Sequence, residues 1–96
     1  MSMKMSHEPE AQRFVAETGG QESVIDYQLS GSTMTITHTG VPTDLRGRGI
    51  AGKLTAFALD EARARGWSVV PTCSYAAHFF ARHPEYTDLL LETTSD

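Results

Sequence analysis

The chain is poor in several things that small domains often depend on. It has one cysteine, Cys73, so no intramolecular disulfide can form. Its four histidines do not combine with that cysteine at the spacing of a zinc site. A reducing compartment, the cytoplasm, and no bound metal are the expectation. No apolar run approaches the ~18 residues needed to cross a bilayer, and residues 1–10 contain no apolar stretch of the kind a secretory signal carries. Positive charge is also scarce. Eight Lys and Arg stand against twelve Asp and Glu, a net charge of −4, which excludes the broad basic face of a nucleic-acid binder.

What is present fits one soluble domain. A chain of 96 residues buries only about 60–65% of its unfolded surface, so its stability is modest. Residues 1–10 are polar and read as a loose N-terminal segment, with Met1, Met3 and Met5 alternating incidentally. Residues 11–91 form the domain, and 92–96 a tail. A first strand is expected over 12–17, with Phe14 and Ala16 on one side. Gly19-Gly20 suits a hairpin turn. A second strand over 23–29 places Ile25, Tyr27 and Leu29 on one face, and Ser30-Gly31-Ser32 turns the chain again.

Residues 33–41 make the clearest strand. Thr33, Thr35, Thr37 and Thr39 point one way, while Met34, Ile36 and His38 point the other. Pro42 ends the ladder, having no N–H to donate. The period then changes from two to 3.6. Ile50, Leu54, Phe57, Ala58 and Ala62 share a stripe, and Gly66 is a suitable C′ residue with Trp67 packing back. A short strand over 68–70 follows. The crossover makes it parallel to the strand before the helix. Ser74 is placed to cap a second helix over 75–82, which His83-Pro84 ends. Leu89 to Leu91 anchors a last turn. The fold class is α+β, a mixed sheet of three antiparallel strands and one parallel strand with two helices packed on it.

Between strand and helix lies Leu45-Arg46-Gly47-Arg48-Gly49-Ile50-Ala51-Gly52-Lys53-Leu54. Small residues let a ligand approach the backbone, the helix N-terminus presents unpaired N–H groups, and Arg46, Arg48 and Lys53 add positive charge. Together they form an anion site suited to phosphate or pyrophosphate. Gly47, Gly52 and Lys53 satisfy most of a Walker A pattern. Its hydroxyl position is Leu54, however, and no aspartate ends the following strand, so an NTPase is a poor reading.

Arg46-x-x-Gly49-x-Ala51 resembles the R/Q-x-x-G-x-G/A signature of the GNAT superfamily of acetyl-CoA-dependent N-acyltransferases. The likeness continues through His38-Thr39-Gly40-Val41-Pro42, Val69-Val70-Pro71-Thr72-Cys73-Ser74-Tyr75 and Arg82-His83-Pro84-Glu85-Tyr86. These blocks, in this order, are similar to the small single-domain members. The resemblance implies acetyl-CoA as cosubstrate, with its pyrophosphate on the amides and side chains of Val41, Arg46, Gly47, Arg48, Gly49, Ile50, Ala51, Gly52 and Lys53. It also implies that the strand ending near Val41 splays from its parallel neighbour near Val69 to admit pantetheine. Larger members build an acceptor pocket from segments not evident here. The acceptor is then an amine of a protein or peptide, or a small amine. A non-catalytic acetyl-CoA-binding or interaction module is the alternative.

Two side chains are candidates for chemistry. Cys73 follows the second splayed strand and could carry the acetyl group as nucleophile, or protonate the leaving sulfur, with a thiol pKa lowered by a helix N-terminus at Ser74 to Tyr75. Its bland alternative is a buried, inert thiol. His38 is a candidate general base for the incoming amine, weighed against a semi-buried core histidine. Tyr75 could donate a proton, but its spacing to Phe79 favours packing. His78 and His83 read as surface or helix-end residues.

Overall fold

A computed structural model describes residues 3–91. The expected tail over 92–96 lies outside the described residues. Five strands form one sheet in sequential order: β1 (Met3–Glu8), β2 (Arg13–Thr18), β3 (Gln21–Ser30), β4 (Thr33–Gly40) and β5 (Ser68–Pro71). Neighbours from β1 to β4 are antiparallel, and β5 is parallel to β4. The crossover helix α1 (Ile50–Arg65) joins β4 to β5, and α2 (Ser74–Arg82) follows. This is the expected α+β architecture with one more antiparallel strand.

That additional strand corrects the reading of residues 1–10 as loose, over Met3–Glu8. Met3, Met5 and His7 alternate with Lys4, Ser6 and Glu8. Met3 and Met5 pack on the core, and His7 stacks on Phe14 with ring centroids 4.1 Å apart. The methionine alternation is therefore the period-two signature of a half-buried strand. A histidine and a serine inside it hid that signature.

The turns follow the glycines. Thr18 pairs with Gln21 across Gly19 and Gly20, both at positive φ, which is the hairpin geometry that matches strand twist. Gly31, at φ 61, opens the two-residue turn between Ser30 and Thr33. At the end of α1, Gly66 adopts φ 72, and the N–H groups of Gly66 and Trp67 donate to Arg63 and Ala62 carbonyls, a Schellman closure.

Both helices cover one sheet face. Phe14, Ile25, Met34, Ile36 and Val69 of the sheet are fully buried against Leu54, Ala58, Leu59 and Ala62 of α1 and Phe79 and Phe80 of α2. Each of the larger of these side chains contributes about 1.5–3 kcal/mol by leaving water. The stripe of α1 is wider than its periodicity implied: Leu59 and Thr55 are buried, while Phe57 is only half-buried. A short 3-10 segment (Pro84–Leu89) then leads Leu90 to bridge Val69 at the outer edge of β5, and the Leu91 N–H donates to the Val69 carbonyl. The expected anchor at Leu89 to Leu91 is formed in this way.

One irregularity positions the site. Between β3 and β4 the register steps from Tyr27↔Ile36 to Asp26↔His38, leaving Thr37 as an extra residue in a β-bulge. Directly paired residues share a face. Ile25 and Tyr27 are core residues, so their partners Thr39 and Ile36 face the helices, whereas Asp26 and its partner His38 face the other way. The strict alternation expected over 33–41 put His38 with Met34 and Ile36. A one-residue slip reverses it, and His38 is exposed on the outer face.

Candidate functional site

The strand before the glycines ends at Gly40, and a 3-10 turn (Thr43–Leu45) anchored by buried Leu45 brings the chain to the mouth of α1. Gly47 and Gly49 both take left-handed conformations, φ 83 and φ 77. Gly49 is the N-cap of α1 and offers no side-chain cap, and the first helical bond runs from the Lys53 N–H to the Gly49 carbonyl. The N–H groups of Gly49, Ile50, Ala51 and Gly52 therefore precede any intrahelical acceptor. They stand at the positive end of a 16-residue helix with no acidic residue in its first turn. Conventional caps satisfy such donors with a serine or aspartate oxygen. Here no side chain among the described residues does so.

A groove of about 230 Å³ opens over these amides, lined by Val41, Leu45, Arg46, Gly47, the first turn from Gly49 to Gly52, and Tyr75 of α2. The Arg46 Nε donates to the Val41 carbonyl (3.3 Å), holding the guanidinium at the rim. Of the residues expected to hold an anion, Val41, Arg46, Gly47, Gly49, Ile50, Ala51 and Gly52 line this groove; Arg48 is exposed outside its lining, and Lys53 lines a neighbouring groove. The missing side chain of Gly52 leaves room for the Tyr75 hydroxyl, which lies 3.6 Å from where a Cβ would stand. Burial raises the Tyr75 phenol pKa, with Arg82 opposing. The group therefore stays protonated, a hydrogen-bond donor at the groove wall. Sequence reasoning had favoured a packing role, and the Tyr75–Phe79 contact exists (6.5 Å between centroids). What spacing could not show was the direction of the hydroxyl.

The sheet opens beside the groove. Pairing of β4 with β5 runs from Thr33↔Ser68 to Ile36↔Pro71 and ends there. The Ile36 carbonyl accepts from the Thr72 hydroxyl (2.8 Å) and the Cys73 N–H (3.2 Å), closing the junction. Beyond it β4 continues to Gly40 with no strand on that side among the described residues, while the chain after β5 turns into α2. The two parallel strands part as expected.

Cys73 sits in this fork as the N-cap of α2, the position expected for Ser74, which is instead the first helical residue. Its thiol donates to the Thr39 hydroxyl at 3.5 Å. Burial pushes the thiol pKa up. The Thr39 hydroxyl, then the amides of Ala76, Tyr75 and Thr39, outweigh it, and the net pKa lies below the ordinary value. The Tyr75 and Ala76 amides form no capping hydrogen bond, but they face the sulfur and stabilise negative charge there. Cys73 is half-buried and also packs against the core. His38 is near Cys73 in sequence topology but not on its side of the sheet. Cys73 contacts Thr39 of the helix-covered face, and His38 projects from the opposite one.

Residues 13–89 match the family of GCN5-related N-acetyl-transferases. The chain belongs to that family. Solved structures agree on the fold. A GCN5-like protein from Staphylococcus aureus, determined by NMR, superposes with a TM-score of 0.69 at 24% identity, over 97% of this chain and 92% of that one. An IAA acetyltransferase from Bacillus cereus ATCC 14579 gives 0.57 at 18% identity, over 84% and 73%. A ribosomal-protein-alanine N-acetyltransferase from Brucella melitensis biovar Abortus 2308 gives 0.52 at 20%, over 88% of this chain but 64% of that larger one. In this family setting the glycine turn, the groove and the parted strands form one continuous candidate site. No helix among the described residues is long and apolar enough to cross a membrane.

Proposed function

We propose that this chain is an acetyl-CoA-dependent N-acetyltransferase that moves an acetyl group to a primary amine of a peptide, a protein or a small molecule. The observation that carries the reading is the groove itself. It runs from Val41, just past the end of β4, over the uncapped first turn of α1, to Tyr75, two residues beyond Cys73. The residues fit the cosubstrate. Four free amides and Arg46 suit a diphosphate, and the unpaired edge of β4 from residue 37 to 40 suits the amides of a pantetheine arm. Acetyl-CoA supplies an activated thioester, so positioning accounts for much of the rate.

Cys73 is the acyl carrier in this reading. Despite burial, hydrogen bonds to its sulfur lower the thiol pKa, which favours the thiolate, the nucleophilic form. The Cys73 sulfur forms a bond to the acetyl carbonyl carbon as the bond to the coenzyme sulfur breaks, and the coenzyme leaves as thiolate. The amine then attacks the S-acetyl group, and Cys73 departs with its electron pair. His38 lies on the outer face of the opening. There it would take the proton of an amine arriving from that side.

The test measures coenzyme A release from acetyl-CoA over a panel of amines and peptides, with intact-mass detection of acetyl on the protein. Parent protein should turn over and, without acceptor, gain one acetyl group that maps to Cys73. Cys73→Ala should lose at least about tenfold in transfer while calorimetry shows unchanged coenzyme binding. Tight binding with no release above the buffer rate would instead make the chain a binding module. Full turnover by Cys73→Ala would remove the thiol from the chemistry.

A further inference from the structure

Gly40 ends β4 with an ordinary strand backbone. It lacks the positive φ of Gly19, Gly31 or Gly49, so conformation does not require glycine there. Space does. A Cβ built on Gly40 would stand 3.0 Å from the His38 Nε2, 3.8 Å from its Cδ2 and 3.7 Å from the Val24 Cγ2. Val24 is the cross-strand partner of Gly40, and residues two apart on a strand share a face. The imidazole therefore lies along β4, over the glycine and beside Val24. The cross-strand partner of His38 itself is Asp26, which stands opposite Arg13 of β2 on its other side. No ion pair or side-chain hydrogen bond joins His38 to either among the described residues. The ring leans toward the end of the strand rather than across to the carboxylate. The next residue in that direction, Val41, already lines the groove over the α1 amides.

We propose that Gly40 is a positioning residue, whose missing side chain seats the His38 imidazole with Nε2 at the outer mouth of the parted strands. The inference rests on the reading of His38 as general base and adds what holds that base in place. Two features of β4 act in turn. The bulge at Thr37 carries His38 to the outer face, and the bare backbone at residue 40 gives the ring a floor. A side chain at position 40 would occupy the same volume. Even the methyl of alanine would stand 3.0 Å from Nε2, against an optimal separation of about 3.5–4.0 Å, so the ring would move by roughly 0.5 Å or turn to another rotamer. Misplacing a reacting group by about 1 Å costs up to about 10²-fold in rate. In the transfer step, the amine nitrogen bonds to the carbonyl carbon of S-acetyl-Cys73, and Nε2 takes the amine proton. The Cys73 sulfur leaves with its electron pair, and the proton on Nε2 then passes to water.

The experiment is a double-mutant cycle on Gly40→Ala and His38→Gln. It reads kcat at saturating acetyl-CoA, so that coenzyme affinity does not enter, with the amine of highest turnover in the panel above as acceptor. His38→Gln should lose about 10²-fold and Gly40→Ala roughly tenfold. The double variant should be no slower than His38→Gln alone, because the alanine acts only through the ring. A merely structural role for Gly40 would instead carry its own loss into the double variant. Alanine suits an extended backbone better than glycine and meets the tip of an exposed ring, so the variant folds, which its melting temperature checks. Proton NMR of the parent should show a nuclear Overhauser effect between the His38 ring and the Gly40 Hα protons. Absence of that effect, a Gly40→Ala variant as fast as the parent, or losses that multiply in the double variant overturns this assignment and leaves the reading of His38 as base standing. A His38→Gln variant with parental kcat, or a parent that acetylates no amine, overturns both.

Discussion

Replacing Gly49 by alanine tests the anion site through the backbone alone. Gly49 holds φ 77 and ψ 12 at the N-cap of α1. Nothing lies within 4 Å of the position a Cβ would occupy, so the substitution meets no neighbour, and its cost is conformational. An L-residue in this left-handed region is disfavoured by about 1–2 kcal/mol, and the lower unfolded-state entropy of alanine does not recover it where φ is positive. In a domain of this size, about 1 kcal/mol lowers the melting temperature by roughly 4–8 °C. Gly49→Asn, which tolerates this conformation better, should lose about half as much. If the alanine chain instead relaxes to negative φ, the amides of Ile50, Ala51 and Gly52 swing away from the groove, and coenzyme affinity falls while the melting point recovers. Melting curves and coenzyme titrations on the parent and both variants read the two responses together. An alanine variant that melts like the parent and also binds coenzyme like the parent would refute the claim that this turn conformation builds the site.

Other outcomes follow from features away from that turn. His7 donates to or accepts from the Tyr27 hydroxyl through Nε2 at 2.7 Å, and its Nδ1 is buried without a partner among the described residues. Burial first, then Arg65, lowers its pKa, with Glu61 opposing. The folded state therefore favours the neutral ring, and its stabilising contribution is complete above the unfolded value of about 6.5. That contribution is lost as pH falls below that value toward the depressed folded pKa. Chemical denaturation across this window should show stability declining on acidification, and the decline should be shallower in His7→Gln. Arg46→Ala and Arg48→Ala should each weaken coenzyme binding more at low ionic strength than at high, because both are exposed and already screened by salt. Arg46→Ala should have the larger effect, since only Arg46 lines the groove.

Much of this architecture was legible because local chemistry and global fold agree. Gly19-Gly20, Gly31 and Gly66 occupy the positive-φ positions that their turns and cap require. Pro71 and His83-Pro84 end their elements where proline must. The misread features are those where one local cue was outvoted. β1 was obscured because His7 and Ser6 dilute its apolar alternation, and its stability comes from stacking on Phe14, a residue seven positions away. The bulge at Thr37 leaves no compositional trace, yet it decides on which side of the sheet His38 stands. Leu59 lies at the margin of the expected stripe and is buried because α1 crosses several strands. At the site, the glycine turn was readable from its residue types. The direction of Lys53 and of the Tyr75 hydroxyl depended on how α2 and the segment after it close over α1, which no local pattern encodes.

The parting of β4 from β5 has a consequence for the protein before any ligand arrives. On the β5 side, the stretch from residue 37 to 40 has no strand partner among the described residues, the kind of template onto which another polypeptide can zip. The hazard is contained by shortness, by the kink at Thr37 and by Pro42, which halts extension of the ladder. An occupant that covers this row would guard the chain against self-association as well as position it for chemistry, so solubility and catalytic readiness share the same few peptide bonds.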